Sequence, residues 1–294
     1  MYKTIGYADD TTLFISTDHS SKDIVPDTTK LNQELNKIHE WLLLNKLTLN
    51  INKTKFMLFS TPNKKIVTPC LQINNIAIEH TENFNFLGIN IHRNLKWKDH
   101  CHKTANKISK TIGILKRLNR ELPLNALKTI YNSLINSHLN YGLLCLGYGN
   151  QRLTKLQKKA VRVITNSKFN AHTEPLFKKL NLLSLNEIYN QKLLQFYYRY
   201  QKNILPDYFM NSFSVKKQRD THSINTRNNK FLTHRIKHKF AENCVRYKLC
   251  HLLNRTDISI LSKATTHCEK AFKNYVKISF FGQYNLPNCY TCNT

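Results

Sequence analysis

Residues 1–15 read MYKTIGYADDTTLFI. β-Branched and aromatic residues from Tyr2 to Tyr7 and from Thr11 to Ile15 flank Ala8-Asp9-Asp10. That is the pattern of a strand, a tight turn and a second strand. Adjacent aspartates at a hairpin tip have a bland reading, because Asp is a common turn residue that stays solvated there. Whether they do more is decided by the residues that follow.

Thr28 to Leu44 has a helical period, with Leu31, Leu35, Ile38, Trp41 and Leu42 at three- and four-residue steps. In NKLTLNINKTKFMLF, residues 45–59, a short loop is followed by an alternating stretch through Leu58, which predicts a strand returning to the hairpin's sheet. LQINNIAIEHTENFNFLGINI, residues 71–91, predicts two more short strands around Asn74-Asn75. From Trp97 the period becomes helical and stays so. Ile108, Ile112, Leu115, Leu118 and Leu122 fall on one face of the first long helix. Leu124 to Leu139 predicts a second helix, RLTKLQKKAVRVI (152–164) a third and Leu185 to Tyr200 a fourth. Tyrosines in FYYRYQ, at the end of the fourth, suit base stacking but are read as helix packing. Pro206 to Lys230 is polar with few aliphatic residues, and Phe231 to Phe281 is again helical and basic.

Charge sets the chain apart. Its 294 residues carry 45 Lys and Arg against 18 Asp and Glu, a net of +27. Residues 1–99 hold 12 basic and 10 acidic residues, whereas residues 100–294 hold 33 and 8. Such a surface repels itself unless an anion is present. Phosphate backbones are the expected anion, because neutralising them releases counterions. No stretch is apolar enough to span a membrane and no signal peptide precedes the hairpin, so no membrane partner is expected. One-signed rows on the helices are the candidate nucleic-acid contacts: Lys103, Lys107, Lys110, Lys116, Arg117 and Arg120 on the first, Lys155, Lys158, Lys159 and Arg162 on the third.

Eight cysteines are scattered without a secretory signal, which predicts reduced thiols and an intracellular protein, nuclear or cytoplasmic. Cys289-Tyr-Thr-Cys292 has the spacing of half a zinc site, but no second CxxC or HxxxH pair stands near. His267 and Cys268 would add ligands only if the tail folds back, so zinc is not expected. His100-Cys101-His102 reads as an accident of a helix start.

The segments also occur in a telling order. YADDTTLFI, then a helix ending WLLLNKLTLNINKTKFMLF, then FNFLGINIHRNLKWKDH, resembles the palm-to-thumb half of a reverse transcriptase of the non-LTR (LINE-type, jockey-like) retrotransposon branch. LKTIYNSLINSHLNYGLLCLGYG, LQKKAVRVITNS, HTEPLFKKLNLLSL and THSINTRNN extend the likeness over nearly the whole chain. It implies an α+β palm remnant of antiparallel strands plus a helix over residues 1–96, followed by a mostly α-helical thumb and C-terminal region. The thumb-like basic helices would span 97–205, a polar linker 206–230, and a C-terminal helical extension and tail 231–294.

By the same resemblance Tyr7-Ala8-Asp9-Asp10 is the metal-binding hairpin of the polymerase. Asp9 would be the direct ligand and Asp10 would shape the field beside it, since successive strand side chains point to opposite sides. Tyr7 would pack near the primer terminus, and Phe86-Leu87-Gly88 would be the strand pair gripping the primer end. Lys53 or Lys55 would neutralise or protonate the leaving pyrophosphate. Nucleotide addition is an in-line attack on an α-phosphate between two Mg²⁺ ions, with Mn²⁺ as an alternative ion, and such ions take hard carboxylate oxygens. RNA template and DNA primer or target are the implied partners.

A two-metal site needs carboxylates from more than one strand. In this family another aspartate, the fingers and the nucleotide-holding segment precede the hairpin, whereas Asp18, Asp23 and Asp27 follow it in a loop. The expectation is therefore a fragment, with Met1 an internal methionine or the start of a truncated frame, inactive without the missing fingers and palm segment. Two other readings stand beside it: a basic nucleic-acid-binding module without chemistry, and a decayed mobile-element remnant.

Overall fold

The computed structural model describes residues 2–8, 10–15, 28–60, 67–147, 151–212, 231, 236 and 242–282. The chain divides into two compact units, Met1–His100 and Cys101–Thr294.

In the first unit, β1 (Tyr2–Tyr7) and β2 (Asp10–Ile15) form an antiparallel hairpin in which Tyr7 faces Asp10 across a two-residue turn. Helix α1 (Thr28–Leu44) follows. Short strands come next: β3 (Lys55–Phe56), β4 (Gln72–Ile73), β5 (Ile76–Ala77), β6 (Glu79–His80), β7 (Asn83–Phe86) and β8 (Ile89–His92). β4 turns into β5 through Asn74 and Asn75, both at positive φ, a conformation that Asn tolerates better than most side chains. Leu71, Ile73 and Ile78 form the core of this unit, covered by Leu31, Leu35, Leu49 and Phe56. Asn32 and Asn36 of α1 accept the Gln72 and Asn74 backbone N–H groups at 3.0 and 3.1 Å, fixing the β4–β5 turn against the helix.

Two expectations are corrected here. The alternating stretch through Leu58 is not a long strand. Asn50 folds it into a turn, its side-chain and main-chain oxygens accepting from the Lys53 and Thr54 N–H groups. Such side-chain competition is how Asn displaces a ladder. Only Lys55–Phe56 remains extended, and it pairs in parallel with β6 rather than with the hairpin. Trp41 is the second correction: it lies exposed, while Leu42 is the buried residue of α1.

The second unit is helical. Helix α2 (Lys98–Leu118) buries Ile108, Ile112 and Leu115 as the period predicts and Ala105 besides, with Leu118 half-buried, but it ends before Leu122, which lies half-buried in the bend that follows. Next, α3 (Leu124–Ile130), a π-helical segment (Tyr131–Asn136) and α4 (Ser137–Asn140) run on as one rod. Leu127, Tyr131, Ile135 and Leu139 are buried along it at a constant spacing of four. At 3.6 residues per turn such a stripe drifts by about 40° per repeat. The wider i→i+5 turn of the π segment takes up that drift. Ser133 back-bonds to the Thr129 carbonyl, and Ser137 to that of Ser133.

Helices α5 (Leu143–Leu146), α6 (Gln151–Ile164), α7 (Glu174–Leu180), α8 (Leu185–Gln201) and α9 (Asp207–Ser212) follow. α7 was not expected from periodicity, although Pro175 in its first turn and Asn181 at positive φ after its end are ordinary start and stop signals. Ser184 and Glu187 form a reciprocal capping box at the start of α8. Tyr197 and Tyr198 of the FYYRYQ stretch are buried, the packing role the sequence suggested. Gln157, fully buried on α6, donates to the Tyr131 hydroxyl and the Leu183 carbonyl at 3.0 Å each and accepts from the Leu185 N–H at 2.8 Å. One amide thus joins three elements. α10 (Val245–Arg255), α11 (Ile258–Thr266) and α12 (Glu269–Phe281) complete the unit. The tail with Cys289 and Cys292, and most of the 206–230 stretch, lie outside the described residues.

Candidate catalytic hairpin and nucleic-acid interface

The Tyr7–Asp10 stretch is the tip of the β1–β2 hairpin. Ala8 sits at φ +53, a left-handed conformation that costs a non-glycine residue on the order of 1 kcal/mol. By register, Ile5, Tyr7, Asp10, Thr12 and Phe14 share one face of the ribbon. Tyr7 and Asp10 are exposed, as are Ile5, Phe14 and Ile15. Neither outer edge of the hairpin carries a further strand among the described residues. Asp9 lies outside the described residues, as do Asp18, Asp23 and Asp27.

Mg²⁺ binds through one or two carboxylates and keeps waters, and a pair of such ions needs more donors than a lone side chain gives. Asp10 is one exposed carboxylate, and no group of three or more His, Cys, Asp or Glu that could hold an ion occurs among the described residues. The described residues therefore do not make a two-ion site.

The two candidate lysines part company. Lys55 Nζ lies 2.9 Å from both carboxylate oxygens of Glu79, across the β3–β6 pair. Lys53 is exposed in the Asn50 turn and makes no ion pair among the described residues. Neither is hydrogen-bonded or ion-paired to Asp10.

Phe86, Leu87 and Gly88 make the tip of the β7–β8 hairpin. Leu87 and Gly88 have φ of +46 and +79, the signature of a tight two-residue turn matched to strand twist. The pair is anchored behind the tip, where the buried His100 Nδ1 accepts the Asn90 N–H at 3.2 Å. His100 is thus engaged through one ring nitrogen, Cys101 is buried and His102 is exposed. These three neighbours do not form a group that could hold a metal ion.

On the helical unit, Lys103, Lys107, Lys110, Lys116, Arg117 and Arg120 are all exposed along and just beyond α2. Lys155, Lys158 and Lys159 are exposed on α6. Arg162 differs, being half-buried with its Nε donating to the Ala171 carbonyl at 2.9 Å, so it braces the α6–α7 loop. Among the described residues, no helix is long and apolar enough to cross a membrane.

Residues 1–91 match the family model of reverse transcriptase (RNA-dependent DNA polymerase), 91 of the 294 residues. No curated protein and no solved structure matches the chain.

Proposed function

We propose, from the premise that residues 1–91 match the reverse transcriptase family, that this chain supplies part of an RNA-directed DNA polymerase of the non-LTR, LINE-type, jockey-like retrotransposon branch. The observation that carries the reading is local: the Tyr7–Asp10 stretch is the turn of a hairpin inside the matched segment. Asp9 and Asp10 are its carboxylates, Tyr7 lies on the same ribbon face as Asp10, and the Phe86–Gly88 turn is a second rigid tip. Basic rows on α2 and α6 are the grip on an RNA template paired with a DNA primer.

Metal-dependent nucleotidyl transfer belongs to the complete enzyme, in which Mg²⁺ would polarise the reacting phosphate. On this reading the chain is inactive alone and works with a fingers and palm segment as partner, which supplies the further carboxylate that a pair of ions needs. Primer extension with Mg²⁺ tests this. The chain alone incorporates no nucleotide, and fusion to a fingers and palm segment of the family restores template-directed incorporation that Asp9→Ala abolishes. Incorporation by the isolated chain, lost in Asp9→Ala, would overturn the dependence on a partner.

The exposed basic rows favour a second reading, a binding module without chemistry. There, Asp9→Ala leaves nucleic-acid affinity intact and the fusion stays inactive.

A further inference from the structure

Helices α8 and α12 pack antiparallel. Gln191 Nε2 donates to the Lys273 carbonyl at 3.1 Å at one end, and Arg199 pairs with Glu269 at 2.8 Å at the other. Between them Tyr198 stacks on Phe272, with ring centroids 5.3 Å apart. This seam gathers cations. Lys192 follows Gln191 on α8, Lys273 and Lys277 are one turn apart on α12, and the charge of Lys128 on α3 is felt at Lys277. Lys128, Lys192 and Lys277 are half-buried and Lys273 is exposed.

Among the described residues none of these four ammonium groups has a carboxylate within ion-pairing distance, and Glu269 is already taken by Arg199. Burial, then Lys273 and Arg199, pull the Lys192 ammonium below its usual range. Burial, then Lys128 and Lys273, do the same to Lys277. Partly desolvated like charges held together are costly without an anion to answer them. Lysines kept only for solubility would stand exposed and apart rather than half-buried together.

We propose that Lys128, Lys192, Lys273 and Lys277 form a second phosphate-backbone contact for nucleic acid, separate from the basic rows of α2 and α6. The occupant is an RNA or DNA strand rather than an anionic membrane, because residues 1–91 match a family of polymerases that act on nucleic acid. The inference rests on the reading that the helical unit grips nucleic acid.

The test uses the full chain and a short RNA–DNA duplex, with affinity followed by fluorescence anisotropy as salt is varied. Three double variants are compared: Lys192→Gln/Lys277→Gln, Lys192→Arg/Lys277→Arg, and Lys107→Gln/Lys158→Gln. Losing two contacts lowers affinity on the order of tenfold to a hundredfold near 0.1 M salt and cuts the log–log salt slope by about 2. The arginine pair retains wild-type affinity. Without duplex, the glutamine pair melts no lower than wild type, since repulsion has been removed.

Wild-type affinity and slope in Lys192→Gln/Lys277→Gln, alongside a loss in Lys107→Gln/Lys158→Gln, overturn this site while the broader reading stands. A loss in the arginine pair equal to that in the glutamine pair also overturns it, as does a deficit seen only on vesicles containing an anionic lipid. A wild-type chain that binds no duplex overturns both.

Discussion

Lys55 holds both carboxylate oxygens of Glu79 at 2.9 Å, a fork across the only parallel strand pair among the described residues. An ammonium already neutralised is a weaker partner for a leaving pyrophosphate than one left open. Lys53 is the open one. If the proposed polymerase reading holds, then in a fusion with a fingers and palm segment Lys53→Met should lower kcat on the order of a hundredfold, the scale of a lost proton donor, with Lys55→Met costing far less. Steady-state primer extension checks the order, and the reverse order would assign the role to Lys55. Glu79→Gln should change unfolding free energy by no more than about 1 kcal/mol, since the pair is exposed.

Leu87 occupies a left-handed position that suits Asn or Gly. Leu87→Asn should stabilise the β7–β8 hairpin by about 1 kcal/mol, read as slower amide exchange at Phe84 and Ile91. If the Leu87 side chain also meets the primer end, the same variant of the completed enzyme gains stability and loses processivity. A stabilised variant with unaltered extension would remove Leu87 from the primer contacts.

Burial pushes the Tyr131 hydroxyl up to about 12, with the Gln157 hydrogen bond pulling weakly the other way. The folded chain keeps a proton that the unfolded chain gives up near pH 10. Stability from this group is therefore complete below pH 10 and falls as pH rises toward 12, by on the order of 2–3 kcal/mol. Tyr131→Phe should cost about 1 kcal/mol at neutral pH, because Gln157 still reaches the Leu183 carbonyl. Its deficit should shrink and then reverse between pH 10 and 12 in denaturant titrations. A constant deficit across that range would mean the hydroxyl is hydrated in the folded state.

Removing the Gln157 amide is a harsher change. Gln157→Leu leaves the Leu185 N–H and Leu183 carbonyl buried without their partner, and should destabilise the helical unit by about 2–4 kcal/mol in the same titrations. A loss below about 1 kcal/mol would show that water replaces the amide.

Hairpin β1–β2, helix α1, the β4–β5 turn and the long helices were legible because each is written locally, in alternation, in a 3.6-residue period or in Asn-Asn. The Asn50 turn hid behind alternating residues: Lys53 to Leu58 looks like a strand, and only a side chain competing for backbone N–H groups ends it early. Helix α7 is too short for a period to register, leaving only its caps. Trp41 fell on the apolar arc of α1, but that arc is wider than the three-residue core it covers. Of the candidate site, Tyr7 and Asp10 could be placed on a hairpin from the residues alone, whereas the Phe86–Gly88 strand pair came only from the resemblance. The Lys55–Glu79 pair could not, because it depends on a parallel pairing between residues 24 apart. The α8–α12 cation seam was equally hidden, since no single helix shows it.

The π segment from Tyr131 to Asn136 bears on the gene as well as on the protein. An α-helix that gains one residue can keep its core stripe by bulging one turn, so the segment reads as an absorbed insertion. Deleting the exposed Ser133 would restore a spacing of four, three and four among Leu127, Tyr131, Ile135 and Leu139, which on an ordinary helix brings Leu139 back to within about 20° of Leu127. The shortened rod should fold, and circular dichroism with thermal melting would show it. Relatives differing by one residue in length would then carry their gap in the middle of a helix, where loops are the usual place to look.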